Sequence, residues 1–242
     1  MFKGISILLL LLFSTISSAY VIDGYKWGSP IYGTGATLSW SYMDSGLSCS
    51  GVYESAGCTI TSLEDFMPSG FESEITRAFD AWTAVADLTF VEVADSGGAL
   101  NDPGTVGDIR IGGHPFDGMG NVVAHGYLPE FGSFSSSGDI HFDTGDLWNI
   151  GFGLPGIDIY QVFVHELGHA LGLDHTTVPG SLMNAYYSEA FSGPQVDDIA
   201  GIQFLYGPPV ENHVPEPASV FLLFLGLLSL MSSRRWQKNP CS

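Results

Sequence analysis

Basic residues are nearly missing from this sequence. Its 242 residues hold 7 lysines and arginines against 26 aspartates and glutamates. Only Lys26, Arg77 and Arg110 are basic between residues 20 and 217, where all 26 acids lie, so this stretch carries a formal charge of −23. A surface of that sign repels phosphate backbones, which excludes a nucleic-acid partner. It suits solubility in a salty medium, or the holding of calcium. Cysteine is scarce too, with 3 residues. Cys49 and Cys58 can close a small loop as a disulfide, in keeping with export, and Cys241 stands in the tail. No internal repeat is visible. What remains, 45% apolar residues over this length, is enough for one domain with a sizeable core.

Histidine is also rare, at 7 residues, yet three of them fall in one stretch, His165-Glu166-Leu167-Gly168-His169-Ala170-Leu171-Gly172-Leu173-Asp174-His175. On a helix, His165 and His169 are four residues apart and project from one face toward a common point. Glu166 sits one position round and reaches a water held there. Gly172 tolerates the positive φ that ends the helix and turns the chain back, which brings His175 in as a third nitrogen ligand. Three imidazoles and one open position describe a catalytic zinc, not a closed structural one. The spacing H-E-x-x-H-x-x-G-x-x-H resembles that of the metzincin zinc peptidases, whose signature adds a downstream Met-turn. Ser181-Leu182-Met183-Asn184 stands where that turn would be, with Met183 as the apolar floor under the zinc.

Both ends read as addresses. Residues 1–19 carry Lys3, an apolar core from Ile5 to Phe13, and Ser17-Ser18-Ala19 as a small-residue cleavage site, the pattern of a secretory signal peptide. The domain proper is expected over residues 20–213. Residues 214–242 hold Val214-Pro215-Glu216-Pro217, an apolar run from Val220 to Met231, and Arg234-Arg235. That run is shorter than the ~20 residues of an ordinary spanning helix. Its order resembles the PEP-CTERM sorting signal of Gram-negative bacteria. The resemblance implies transient membrane association, processing by an exosortase-type enzyme, and delivery outside the cell. The alternative is a plain C-terminal anchor.

Between the ends, Ala36 to Tyr42 alternates apolar and polar residues and is expected as a strand. Phe71, Ile75, Ala78, Phe79, Trp82 and Val85 form the buried stripe of a helix from about Gly70 to Ala86. Further strands are expected at Leu88–Val93, Asp108–Ile111, Asn121–Leu128 and Gly138–Phe142. Asp158 caps the histidine-bearing helix, with Gln161 completing a capping box. A last helix runs from about Gln195 to Tyr206, after Pro194 and before Gly207. The class is α+β.

Within the metzincins the resemblance narrows to the matrixins. It rests on Ala78–Trp82 running into Leu88–Val93, on Gly107-Asp108-Ile109-Arg110-Ile111, and on Asp197–Gln203 with Tyr206-Gly207. It implies one mixed, twisted five-stranded sheet, three helices, and a cleft above the zinc whose edge strand, with Val123 and Ala124, pairs with an extended peptide. Pro115-Phe116-Asp117-Gly118, Val123–Tyr127 and Ile140-His141-Phe142-Asp143 are similar to the segment that binds a structural zinc and calcium in that family. His125 and His141 match two zinc ligands, and Asp117, Asp143 and Asp146 match calcium carboxylates. Three departures stand out. Arg110-Ile111-Gly112 occupies the place of an H-x-D ligand pair; His114 is near enough to substitute, and a fourth ligand is unidentified. About fifty residues between the cleavage site and the first helix leave no room for an inhibitory propeptide. Asn184-Ala185-Tyr186 replaces the usual Tyr-Pro after the Met-turn. The activity implied is hydrolysis of protein or peptide substrates by a zinc-bound water, with Glu166 as general base. Two rivals remain open: a non-catalytic surface protein stapled by metal, and a zinc hydrolase of a non-peptide amide or ester.

Overall fold

A computed structural model of the chain describes residues 20–50, 56–100, 102, 106–129 and 136–210. The expected leader and the whole of the sorting tail lie outside the described residues. The chain opens with strand β1 (Val21–Ile22), followed by β2 (Ala36–Tyr42), helix α1 (Phe71–Thr83), β3 (Leu88–Glu92), β4 (Ile109–His114), β5 (Ala124–Gly126) and β6 (Ile140–Asp143). Then come β7 (Trp148–Asn149), β8 (Ile157–Asp158), helix α2 (Ile159–Ala170), β9 (Leu173–Asp174) and helix α3 (Val196–Tyr206).

Five strands form one sheet in the order β3-β2-β4-β6-β5. All neighbours are parallel except β5, which runs antiparallel along the edge. The fold is therefore the mixed-sheet, three-helix α+β arrangement that the resemblance implies. The alternation in β2 turns Leu38 and Trp40 into the core, where the stripe of α1 meets them. Phe79 is the hub: its ring stacks on Trp40 at 4.8 Å, tilts against Phe90 at 4.7 Å and meets Phe163 of α2 edge-on at 5.4 Å. One side chain thus joins sheet, α1 and α2, and Phe79→Ala would cost about 3–5 kcal/mol. Trp82 adds a hydrogen bond from its indole N–H to the Val164 carbonyl, 3.0 Å.

Several boundaries differ from expectation. Helix α1 stops at Thr83, because the amide of Val85 bonds back only three residues, to Trp82. The edge strand shrinks from the expected eight residues to three, although Val123 still accepts from the Asp143 amide at 2.8 Å and Tyr127 donates to the Asp139 carbonyl at 2.9 Å. Strand β4 runs on to His114. Asp158 does cap α2, accepting the Gln161 amide at 2.8 Å. The expected reciprocal box does not form, since the Gln161 side chain instead accepts from the Gly193 amide at 3.2 Å. In α3 the Gln195 amide donates to the Asp198 carboxylate, 2.8 Å. Cys49 and Cys58 are joined as a disulfide, with their Cα atoms 5.0 Å apart.

Arg110 lies near the start of β4 and is fully buried. Its guanidinium grips Asp95 through Nε–Oδ2 at 2.8 Å and Nη2–Oδ1 at 3.1 Å, and donates to the Gly98 carbonyl at 2.8 Å. Burial alone would raise the Asp95 pKa. The hydrogen bonds from Arg110 and the Gly97 amide, with the guanidinium charge, outweigh it and hold the carboxyl below its ordinary value. No helix among the described residues is long and apolar enough to cross a membrane.

Candidate metal centre and active-site cleft

Helix α2 is buried nearly all round, as expected of a helix that crosses a core. His165 and His169 project from it side by side. Gly172, at φ 103°, turns the chain back, and any side chain there would strike the Tyr25 carbonyl, 2.5 Å from a Cβ. The returning strand β9 pairs with β1 and delivers His175.

The three rings meet through one nitrogen each. His175 Nε2 lies 3.2 Å from His165 Nε2 and 3.1 Å from His169 Nε2. Tetrahedral zinc with nitrogens at ~2.0–2.1 Å sets its ligand atoms about 3.3 Å apart, so the cluster matches that ion. The remote nitrogens fix the tautomers: His165 Nδ1 donates to the Leu182 carbonyl at 2.7 Å, and His169 Nδ1 to the Leu173 carbonyl at 2.8 Å. Each leaves its Nε2 lone pair facing the shared point. Burial lowers the pKa of all three, and burial plus the neighbouring imidazoles takes His169 down to about 3. Neutral imidazoles are the form that binds metal.

Glu166 sits beside the cluster and is buried. Burial pushes its carboxyl up to about 7, against the charge of His125 and a hydrogen bond from the Gly126 amide. Strand β5 comes this close only because residue 126 is glycine: a Cβ there would lie 2.4 Å from the Glu166 carbonyl. Met183 passes under the ligands, with its sulfur 2.5 Å from where a Cβ on Gly168 would stand.

A small cavity of about 70 Å³ opens next to His165 and Glu166, lined among others by Val123, Gln161, Leu182 and Tyr186. Its wall is braced by Tyr187, whose hydroxyl accepts the Asp158 amide at 3.1 Å, and by the Gln161–Gly193 bond. Of the two edge residues expected to bind substrate, Val123 lines this cavity, whereas the Ala124 side chain packs into the core.

One residue at the centre's support escaped the sequence reading. Asp198, buried at the start of α3, accepts from the amides of Leu182 (2.7 Å), Met183 (3.0 Å) and Gln195 (2.8 Å), and from the Ser181 hydroxyl. It clamps the Met-turn against α3. The one available signal was an acid three residues beyond Gln195, the spacing of a capping box.

The other expected histidines gather elsewhere. His125 on β5 faces His141 on β6 directly across the ladder, with His125 Nε2 3.1 Å from His141 Nδ1. Gly112 pairs with His141, so His114, two residues on, shares that face of the sheet. One nitrogen from each of His114, His125 and His141 lies within 4.8 Å of the others. Nearby, Asp143 is fully buried and its Oδ1 accepts from Gly145 at 2.7 Å and Phe116 at 3.2 Å. Asp146 accepts from Gly120 at 2.7 Å. Burial, followed by the charges of Asp143 and Asp117, raises the Asp146 pKa.

Comparison with known proteins agrees with this architecture. The matrixin family profile matches residues 57–207, and the PEP-CTERM protein-sorting motif matches residues 213–235. The chain is 42% identical over 156 residues to matrix metalloproteinase-16 of Homo sapiens, covering 59% of this chain and 24% of that protein. It is 40% identical over 153 residues to the hatching enzyme of Paracentrotus lividus, covering 59% and 24%. Against the interstitial collagenase of Bos taurus it is 37% identical over 169 residues, covering 66% and 34%. It thus spans about a quarter to a third of the length of these relatives. The chain belongs to the matrixin family and carries a PEP-CTERM sorting motif.

Proposed function

We propose that this protein is an exported zinc endopeptidase. The observation that supports this most is the convergence of His165, His169 and His175 on one point beside the buried carboxylate of Glu166. His165, His169 and His175 would hold a zinc ion there, which would supply a polarised water with its pKa brought toward ~7. Glu166 accepts the proton of the attacking water and passes it to the leaving amine. An extended substrate pairs with the edge of β5, where Val123 borders the cleft, and a side chain beyond the scissile bond enters the small cavity under Tyr186. A purely structural metal site has no use for a base in that place.

The same reading gives the protein calcium on Asp117, Asp143 and Asp146, where bringing carboxylates together costs repulsion that a divalent ion offsets. It also gives it a second zinc on His114, His125 and His141. The sorting motif supports delivery to the cell surface, with processing by an exosortase-type enzyme close to Pro215–Ala218. The test is incubation with a peptide library, with and without a zinc chelator. Cleavage that the chelator abolishes and added zinc restores is expected. A zinc-loaded chain that cuts no peptide would overturn the proposal, and turnover of only amide or ester substrates would replace it with a different hydrolase.

A further inference from the structure

The acids of the domain are unevenly placed. All 26 lie between residues 20 and 217, yet none occurs from Gly24 to Met43 or from Ile199 to Val210. The structure sets parts of these two stretches against each other. The Gly33 amide donates to the Leu205 carbonyl at 3.0 Å. Gly207 ends α3 so close by that a Cβ on it would lie 2.7 Å from the Gly33 carbonyl. The Tyr32 ring tilts against Phe204 of α3 at 4.9 Å, and Tyr20 reaches the same ring at 5.9 Å. Asp23, next to Gly24, and the half-buried Asp87, beside Gly35, stand at the rim.

Apolar side chains project from this acid-free face. Ile31 is 67% exposed, Tyr25 47%, and Tyr32 and Phe204 42% each. The loop that carries three of them is tied down. Lys26 Nζ donates to the Trp27 carbonyl at 2.9 Å and the Ser29 carbonyl at 2.6 Å. The Thr34 hydroxyl donates to the Ile31 carbonyl at 2.6 Å, and the Trp27 indole to the Ala170 carbonyl of α2 at 2.6 Å. A contiguous exposed apolar patch marks an interaction surface, and a fixed loop lowers the ordering cost of using it. Tyrosines, with an apolar ring and a polar tip, favour a membrane–water boundary.

The rest of the sequence indicates the partner. Two apolar runs flank the domain and join it at this face: Ile5 to Phe13 precedes Tyr20, and Val220 to Met231 follows Gly207. Pro209 and Val220 are eleven residues apart, a reach of at most about 40 Å at ~3.6 Å per residue. A tail lodged in a membrane therefore keeps this face near the bilayer at high effective concentration, where a weak contact suffices. An acid-free face also approaches lipid at the least cost in desolvated charge.

We propose that the face formed by Tyr25, Ile31, Tyr32 and Phe204 docks the domain on the lipid surface of a membrane that holds the tail. The docking rests on membrane association of the tail, and not on metal binding or peptidase activity. Co-sedimentation of the full chain with phosphatidylcholine vesicles tests it. Ile31→Ser with Phe204→Ser should bind about tenfold more weakly than wild type at unchanged Tm, since interfacial binding scales with buried apolar area. If that pair lowers the Tm, Ile31→Ser alone decides, because so exposed a side chain has little packing to lose; about threefold weaker binding is then expected. Leu223→Asp with Leu227→Asp, which interrupts the tail's apolar run and leaves the face intact, should weaken binding further. Wild-type affinity in a folded face variant refutes the docking and leaves the tail's membrane association standing. Wild-type affinity in the tail variant removes the tether, and the proposal with it. A wild-type chain that does not sediment with vesicles overturns both. A chain that is dimeric without lipid, and monomeric in the face variant, makes the face a contact between copies and overturns the docking.

Discussion

The chain builds two clusters of three histidines by opposite routes. In the first, all three histidines come from residues 165–175. A buried, capped helix supplies two and a glycine turn the third, while neutral carbonyls aim the rings. In the second, residues 114, 125 and 141 come from three strands, and only the sheet register brings them together. The donors are alike; their company is not. Glu166 adjoins the first cluster, whereas the second adjoins a cavity with aromatic walls. The two meet in β5, where His125 belongs to one cluster and the amide of Gly126 bonds Glu166 in the other.

The sharpest way to separate them is to remove the proton acceptor and nothing else. Glu166→Gln keeps the shape of the side chain and the three ligands. Peptide turnover should fall by ~10²–10⁴-fold, with metal content and melting temperature unchanged. Wild-type kcat/KM in this variant would end the case for Glu166 as the base.

The frame of the second cluster can be broken from within, because β4 carries both Arg110 and His114. Arg110→Met leaves Asp95 buried without its cation, and removes the one charge that opposes the upward push of burial on Asp139. Losing one partner of a buried pair costs about 3–5 kcal/mol, measurable by urea unfolding. The pH dependence has a definite sign. The folded-state pKa of Asp95 is depressed, so its stabilisation is complete above the ordinary carboxylate value of ~3.9 and is lost as pH falls through the folded value. The variant should lose that part of the acid-side slope. An unchanged unfolding curve at neutral pH would show that the pair contributes nothing.

The two clusters also differ in how far the sequence alone reveals them. The first follows from spacing within one helix and one turn, so neighbouring residues carry the information. The same holds for β2, whose alternation marks Ala36–Tyr42 without error, and for α3, bounded by Pro194 and Gly207. The second cluster depends on which strands pair and in what register. His114 could be placed only as a nearby residue, because β4 runs three residues beyond its apolar pattern. Gln161 was misread for a related reason: its partner is the Gly193 amide, 32 residues away, and a distant donor outcompeted the local box. Tertiary pairing of this kind leaves no local trace.

Calcium, if held as proposed, would sharpen the comparison by acting on the loops around the second cluster alone. The charges of Asp143 and Asp117 both bear on Asp146. Calcium at about 100 times its Kd should stabilise the fold by about 2.7 kcal/mol, seen as a higher Tm. Asp117→Asn removes one of the three carboxylates at little change in volume, and should lose most of the gain. Magnesium, which demands a smaller octahedral site, should substitute poorly. A Tm indifferent to millimolar calcium would remove the site from the proposal.

The smallest expected effect tests what aims the first cluster. Asp198 receives the Leu182 amide at 2.7 Å, and the Leu182 carbonyl in turn receives His165 Nδ1 at 2.7 Å. The carboxylate therefore reaches His165 through a single residue, Leu182. Asp198→Asn keeps the volume but replaces one acceptor oxygen with a donor NH2, which must face at least one of the four donors now satisfied. The Met-turn should loosen and His165 should lose its fixed tautomer. Supporting residues of this kind are worth ~10–100-fold in metal affinity, and because His169 keeps its own bond to the Leu173 carbonyl the lower end is expected. A tenfold weaker zinc affinity, or about 1.4 kcal/mol, should appear in chelator competition. Zinc in the second cluster should be held as tightly as before. Equal weakening at both clusters would mean that Asp198 merely stabilises the fold, and that the path through Leu182 carries no specific information.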